Sequence, residues 1–269
     1  MAEIENAGTG VAYISDVPLE VFQSLQVARG MNVSPFAYGV ARLTYIPRRL
    51  PEDLSLPLRF GLRYGVPGTP GTRGVSGLPA DTGLVIAAPE ASARHEAACE
   101  GLIAQIRVKG REMGLARRLR CRGSGPTQLG QASIEPDTGF GPNNRMHRTI
   151  AIEVATADSY DSVAIKCQLW AQVVPVQAVV AVKLDERTRT ITVCKQMPAI
   201  RISGRYIGWE VERVVVRRVG SGYQVHPRHH QEITLDFYDV TAEPPPPDKV
   251  DFVLDADFFC EWAAEVWAA

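Results

Sequence analysis

The sequence predicts an α/β protein, a mixed central β-sheet flanked by helices with extensions at both ends, and three observations predict it. From residue 82 onward, apolar strands and helical repeats follow in the order strand, long helix, three strands, helix, two strands. VQAVVAVKLD (176–185) is almost wholly apolar, as a central strand covered on both faces must be. ARHEAACEGLIAQIRVKGREMGLARR sets Cys99, Leu102, Ile103 and Ile106 at helical intervals, a face built to lie on such a sheet.

Taken in order, residues 1–80 form an N-terminal elaboration. VPLEVFQSLQVARG (17–30) has helical spacing at Val21, Leu25 and Ala28, with Gly30 as its stop. GVPGTPGTRGVSGLP (65–79) is dense in Gly and Pro and reads as a linker. The core is expected over 81–200. TGLVIAAP (82–89) is a short buried strand, and Ser92 caps the long helix. In ARRLRCRG, Leu119 and Cys121 face one way and Arg118, Arg120 and Arg122 the other, which is a half-buried or edge strand. GSGPTQLGQ is a turn, and QASIEPDTGFGPNN starts extended and ends in a loop. Ile150, Ile152 and Val154 form one face of the next strand, Ala151, Glu153 and Ala155 the other. Asp158 or Ser159 caps a helix running to about Val173. RTRTITVCKQ then pairs back on 176–185 across a turn at Asp185–Arg187. The C-terminal extension, 201–269, holds a strand-like EVERVVVRRVG, a His-rich HPRHH, the spacer EPPPP and an amphipathic terminal helix that can pack elsewhere.

Bulk properties narrow the function. Hydrophobic content of 45%, charged content of 22% and a net charge of −1 over 269 residues describe an ordinary globular chain without a general basic coat. Nucleic acid would have to be held by a local patch. The five cysteines show no CxxC pair, which removes zinc-ribbon and thioredoxin-like readings. Reduced buried thiols suit an intracellular setting, cytoplasmic or nuclear, and no secretory signal or membrane-spanning run is visible. No Ser-His-Asp, Cys-His or phosphate-loop signature is present.

One constellation carries chemistry. Asp137 ends an extended segment and Glu153 follows sixteen residues later in the next strand, so neighbouring strands would bring both carboxylates to one end of the sheet. Two hard oxygen ligands with positions left for water suit Mg²⁺ or Mn²⁺. Lys166 shares a helix face with Val163, Leu169 and Trp170, so its ammonium can emerge among apolar neighbours and reach the acids. Each residue also has a plain structural explanation: an Asx-turn for Asp137, a solvated edge for Glu153, an exposed helix lysine for Lys166.

The pieces APEASARH (88–95), EPDTGF (135–140), IEVAT (152–156) and YDSVAIKCQLW (160–170) together resemble the restriction-endonuclease-like, PD-(D/E)XK, nuclease superfamily. More narrowly, they are similar to its stand-alone restriction endonuclease branch, with the lysine migrated to the helix. The resemblance spans about 80–196. It implies a restriction-endonuclease-like core and an Mg²⁺-dependent endonuclease activity, most readily on DNA. It also implies catalytic roles for Asp137, Glu153, Lys166 and His95, and metal ligation by Asp137, Glu153 and the carbonyl of Val154. Ala155 stands where the commonest pattern has its lysine, and Lys166 is the nearby replacement. His95 has a plain alternative as a capping or surface histidine.

Lys109, Arg117, Arg118, Arg120 and Arg122, with Arg107 and Arg111, face a single acid, Glu112, and make the expected phosphate-backbone surface. Arg213, Arg217, Arg218 and HPRHH make a second basic cluster, which reads more simply as a solvated face. DNA is the expected partner and a homodimer is compatible with it. A non-catalytic binding or interaction module on the same fold is the alternative.

Overall fold

The computed structural model describes residues 4–6, 12–18, 40–47 and 82–89 as strands. It also describes residues 92–129, 132–156, 163, 166, 167, 169, 170, 173, 175–202, 205–246 and 251–269. The chain forms two compact units, the first from 1–90, 126–135 and 202–206, the second from 91–125, 136–201 and 207–269.

The first unit carries a six-stranded sheet in the order β1-β2-β4-β3-β7-β6. Its strands are β1 (Ile4–Asn6), β2 (Ala12–Pro18), β3 (Val40–Pro47), β4 (Thr82–Pro89), β6 (Thr127–Leu129) and β7 (Ala132–Ile134). TGLVIAAP is a strand as expected, but it pairs with β2 and β3 instead of joining the sheet that holds Glu153. GSGPTQLGQ contributes a strand, β6, to a hairpin with β7 where a turn was expected. Apolar character marks a buried strand without naming its partner; strand pairing made that choice. Most of the helix expected over 17–30, and the linker at 65–79, lie outside the described residues, while Val17 and Pro18 close β2.

The second unit is a seven-stranded mixed sheet in the order β13-β12-β11-β10-β9-β8-β5, with helices on both faces. Its strands are β5 (Leu119–Cys121), β8 (Thr138–Pro142), β9 (Ile150–Thr156), β10 (Ala178–Asp185), β11 (Thr190–Ile202), β12 (Arg205–Val219) and β13 (Gly222–Val225). β10 lies in the interior, parallel to β9 and antiparallel to β11, and its burial bears out the apolar run. Asp185 Oδ1 accepts from the amides of Arg187 and Thr188, which turns the chain into β11. β5 is an edge strand, with Arg120 exposed between half-buried Leu119 and Cys121.

Helix α1 (Ala93–Glu112) starts where Ser92 Oγ accepts from the amide of His95, 3.2 Å away. It ends where Gly114 takes φ +71°, a conformation L side chains resist. Its buried Cys99, Leu102 and Ile106 join Ile150, Ile152 and Val154 of β9 in one core. Onto the same core pack α2 (Phe237–Thr241) and α3 (Ala256–Ala268), the latter capped by Asp255 at the amide of Phe258. The residues beyond 207 therefore belong to the same unit as the sheet, and the terminal helix returns to it. A Cβ on Gly101 would stand 2.6 Å from Trp262 Nε1, so glycine there admits the indole between α1 and α3.

Lys195 shares the face of Ile191 and Val193 and is buried beneath the segment around α2. Its ammonium donates to the carbonyl of Thr234 at 2.6 Å and pairs with Asp239 at 3.1 Å. Burial raises the Asp239 carboxyl above its ordinary range while Lys195 pulls it down. Lys195→Met strands that carboxylate, at a cost of about 3 kcal/mol near neutral pH. The folded variant then holds a proton that the unfolded chain releases near pH ~4, so its deficit grows as pH rises through and above that value. Urea melts of both proteins at acidic and neutral pH read this directly; a deficit independent of pH would contradict it.

Candidate active site

The site forms where β8 stops short of β9. Their pairing runs from Phe140↔Ile150 to Thr138↔Ile152, so beyond Ile152 no strand among the described residues pairs with the β8-side edge of β9. Asp137, one residue before β8, fills that gap with its side chain, and its Oδ2 accepts from the amide of Val154. The N–H and C=O of one strand residue point to the same side, so the Val154 carbonyl is directed to the Asp137 edge as well. Close approach of the two strands depends on glycine. A Cβ on Gly139 would run into the carbonyl oxygen of Ile150, and one on Gly141 would lie 2.5 Å from that of His147. The segment expected to end in a loop is a fully buried strand for this reason.

Alternation along β9 sends Val154 into the α1 core and Glu153 to the opposite face. There Glu153 is 0% exposed. Residues 163, 166, 167, 169 and 170 are helical, in the segment where a helix was expected. Asp158 and Ser159, its expected caps, lie outside the described residues. Lys166 Nζ donates to Glu153 Oε2, and Trp170 Nε1 donates to Oε1 at 2.5 Å. The same ammonium stands 3.9 Å from Asp137 Oδ1. One amine thus touches both carboxylates, and the three side chains singled out from spacing lie together.

His95 reaches the site from the first turn of α1. Its Nε2 lies 3.0 Å from Asp137 Oδ2, and since an ionised carboxylate only accepts, the proton belongs on Nε2. Nδ1, across the ring, is 3.9 Å from Cys99 Sγ. His95, Cys99 and Asp137 offer ligand atoms within 4.8 Å of one another. His95 presents Nε2 to the carboxylate and Nδ1 to the thiol. The grouping could hold a metal ion, and in this structure His95 and Asp137 are joined directly by a hydrogen bond.

Two contributors left little or no mark in the sequence. Trp170 carried only an apolar place on the lysine face, yet its indole N–H holds Glu153. Arg148 had no signal at all. Its stem lies against Gly139, its guanidinium sits 5.3 Å from the Trp170 ring centroid, and its Nη2 donates to the carbonyl of Gly125 at 2.8 Å. Burial lowers its pKa to about 10, against the pull of the Glu153 carboxylate, so it remains charged at neutral pH. The Cys167 thiol beside them is pushed up by burial and then by Glu153, and stays protonated.

Some residues of the expected basic surface also make bonds or ion pairs within the chain. Arg118 pairs with Glu243, Arg122 donates to the carbonyls of Pro142 and Arg145, and half-buried Lys109 lies 4.0 Å from Glu112. Arg117 and Arg120 are exposed. The bonds and ion pairs of Arg118, Arg122 and Lys109 therefore run to these groups and not to Asp137, Glu153 or Lys166.

No family model and no curated protein matches the chain. Among solved structures it is similar to a DUF820 protein from Anabaena variabilis ATCC 29413, by its description a candidate nuclease. The two share 12% identity at a TM-score of 0.38, over 66% of this chain and 87% of that one. At that level the likeness assigns no activity. No helix among the described residues is long and apolar enough to cross a membrane.

Proposed function

We propose that the second unit has a restriction-endonuclease-like core and is a metal-dependent nuclease that hydrolyses phosphodiester bonds, in DNA before other substrates. The single observation that supports this most is the meeting of Asp137 and Glu153, from two adjacent strands, at the one ammonium of Lys166. Buried acids on a sheet edge are costly to keep unless they hold something. Their oxygen chemistry, with the Val154 carbonyl turned the same way, fits Mg²⁺ or Mn²⁺. Such an ion, when bound, polarises a phosphoryl oxygen and lowers the pKa of a coordinated water.

The protein's own groups have separable tasks. Asp137 and Glu153 supply ligand oxygens. His95 Nε2–H and the Val154 amide hold Asp137 Oδ2, which leaves Oδ1 on the Lys166 side. Trp170 fixes the orientation of Glu153, with Arg148 stacked on its ring. Lys166 places a positive charge where negative charge grows on the phosphoryl oxygens.

A second reading, a non-catalytic module on this fold, has an observation in its favour: Lys166 and Trp170 already occupy both oxygens of Glu153. Mn²⁺ titration separates the two. The full-length protein is expected to bind Mn²⁺ at a site lost in Asp137→Ala, read by electron paramagnetic resonance or calorimetry. Equal binding by both proteins, or none by either, decides for the module.

A further inference from the structure

Beyond β13 the chain folds back on β12 in a way that composition alone read as a plain solvated face. The segment 226–232 is stitched to β12 by backbone bonds, His226 N to Val215 O at 2.7 Å and His230 N to Arg213 O at 2.9 Å. Two imidazoles are part of the stitching. The amide of Arg213 donates to His230 Nδ1 at 3.0 Å, and the amide of Arg228 donates to His226 Nδ1 at 3.2 Å. A backbone N–H can only donate, so His226 Nδ1 accepts and its neutral ring carries the proton on Nε2. The outer nitrogen of the His226 ring is therefore a donor. His230 Nδ1 lies near both the amide of Arg213 and, at 3.3 Å, its carbonyl oxygen, which suit opposite tautomers. Gln231 braces the turn through the carbonyls of His226 and His229.

Arg213, Arg228, His229 and His230, with Glu210, line an open recess of about 530 Å³. Arg217 and His226 stand close by: the proton affinity of His226 is lowered by loss of solvent and then by Arg217, His229 and Arg228. Glu210 is the one acid in the lining, and it is paired with Arg213 Nη2 at 2.9 Å. The other acid of the strand face, Glu212, is turned onto the amide of Thr234. What the recess offers is guanidinium and imidazole N–H in a fixed frame. That suits an oxyanion, which only accepts. A transition metal is the poorer occupant, because His226 Nδ1 is committed to the amide of Arg228. In addition, no group of three ligating side chains assembles here among the described residues.

We propose that this recess is a phosphate-group site that takes the backbone of a nucleic-acid strand. The phosphate follows from the recess itself; the choice of a nucleic acid rests on the nuclease reading above. The site lies on β12 and the loop after β13, separate from Asp137 and Glu153, so binding and cleavage can be measured apart.

The test uses the full-length chain carrying Glu153→Gln, with and without Arg228→Glu and His229→Ala, and a fluorescein-labelled DNA duplex read by anisotropy over a salt series. The expected result is a Kd raised about tenfold, and a log–log salt slope shallower by about 1 for each phosphate that the variant no longer neutralises. In parallel, inorganic phosphate is titrated against the wild-type protein while the histidine ring nitrogens are followed by NMR. Shifts of the His226 and His230 Nε2 signals support the site. Phosphate shifts without any effect of the variants on DNA binding assign it to a free phosphate-bearing molecule in place of a strand. An unchanged Kd and slope together with unmoved imidazole signals overturn it. Failure of the nuclease reading shows elsewhere, as wild-type protein that neither binds Mn²⁺ nor cleaves DNA.

Discussion

Glu153→Gln is expected to lower divalent-cation-dependent cleavage of DNA by on the order of 10³-fold, comparable to removing one central electrostatic element of an active site. The substitution is nearly isosteric. The amide oxygen can still accept from Trp170 Nε1, but the charge that draws both Lys166 and a divalent cation is gone. Some stability goes with it, since among the described residues Lys166 then keeps only Asp137, at 3.9 Å, and one charge-assisted bond is worth about 2 kcal/mol. Adding Lys166→Met removes the stranded ammonium, so the double variant should recover the thermal midpoint without recovering cleavage. That pattern separates chemistry from folding. Wild-type cleavage rates in a well-folded Glu153→Gln protein would remove Glu153 from the site.

Gly139→Ala should cost about 3 kcal/mol or more, at the upper end for overpacking, because the added methyl meets backbone that has little room to yield. Its Cβ would run into the Ile150 carbonyl oxygen and approach Arg148 Cδ to 3.3 Å. For a unit of this size that corresponds to a thermal midpoint lower by about 6–12 °C. The effect reaches the site as well. Asp137 stands two residues from Gly139, and pushing β8 from β9 draws the carboxylate away from the Val154 amide and the Lys166 ammonium. Calorimetry should show the lower midpoint, and Mn²⁺ affinity should fall with it. A midpoint within a degree of wild type would mean that the strands can separate at little cost, contrary to the close packing of β8 on β9.

The mixed α/β class, the α1 helix with its Ser92 cap, the interior β10 and the hairpin turn at Asp185 were legible because each depends on local pattern. Period-3.6 and period-2 burial, a capping hydroxyl and an Asx-turn are all properties of a few consecutive residues. The site was partly legible for the same reason: an acid in an apolar strand is conspicuous, and a lysine on an apolar helix face is the natural partner to seek. Arg148 was not. Its place over Trp170 follows from a glycine in the neighbouring strand that leaves room for its stem, and no spacing within the chain encodes that.

What the amino-acid order determined by itself, then, is which segments are strands or helices, which faces are apolar, and which residue types could do metal chemistry. Tertiary structure alone decided that TGLVIAAP pairs in the first unit, that β8 forms and halts at Thr138, and that the residues beyond 207 complete the second unit's core. It also decided that Arg118, Arg122 and Lys109, among the basic residues expected at a nucleic-acid surface, make bonds or ion pairs within the chain, while the His-rich segment lines an open recess beside β12. The physical reason is common to all of these. Local periodicity dictates the direction a side chain faces, but its partner is chosen by strand pairing and close packing between segments far apart in the chain, where the free energy depends on shapes that meet only once the chain has folded.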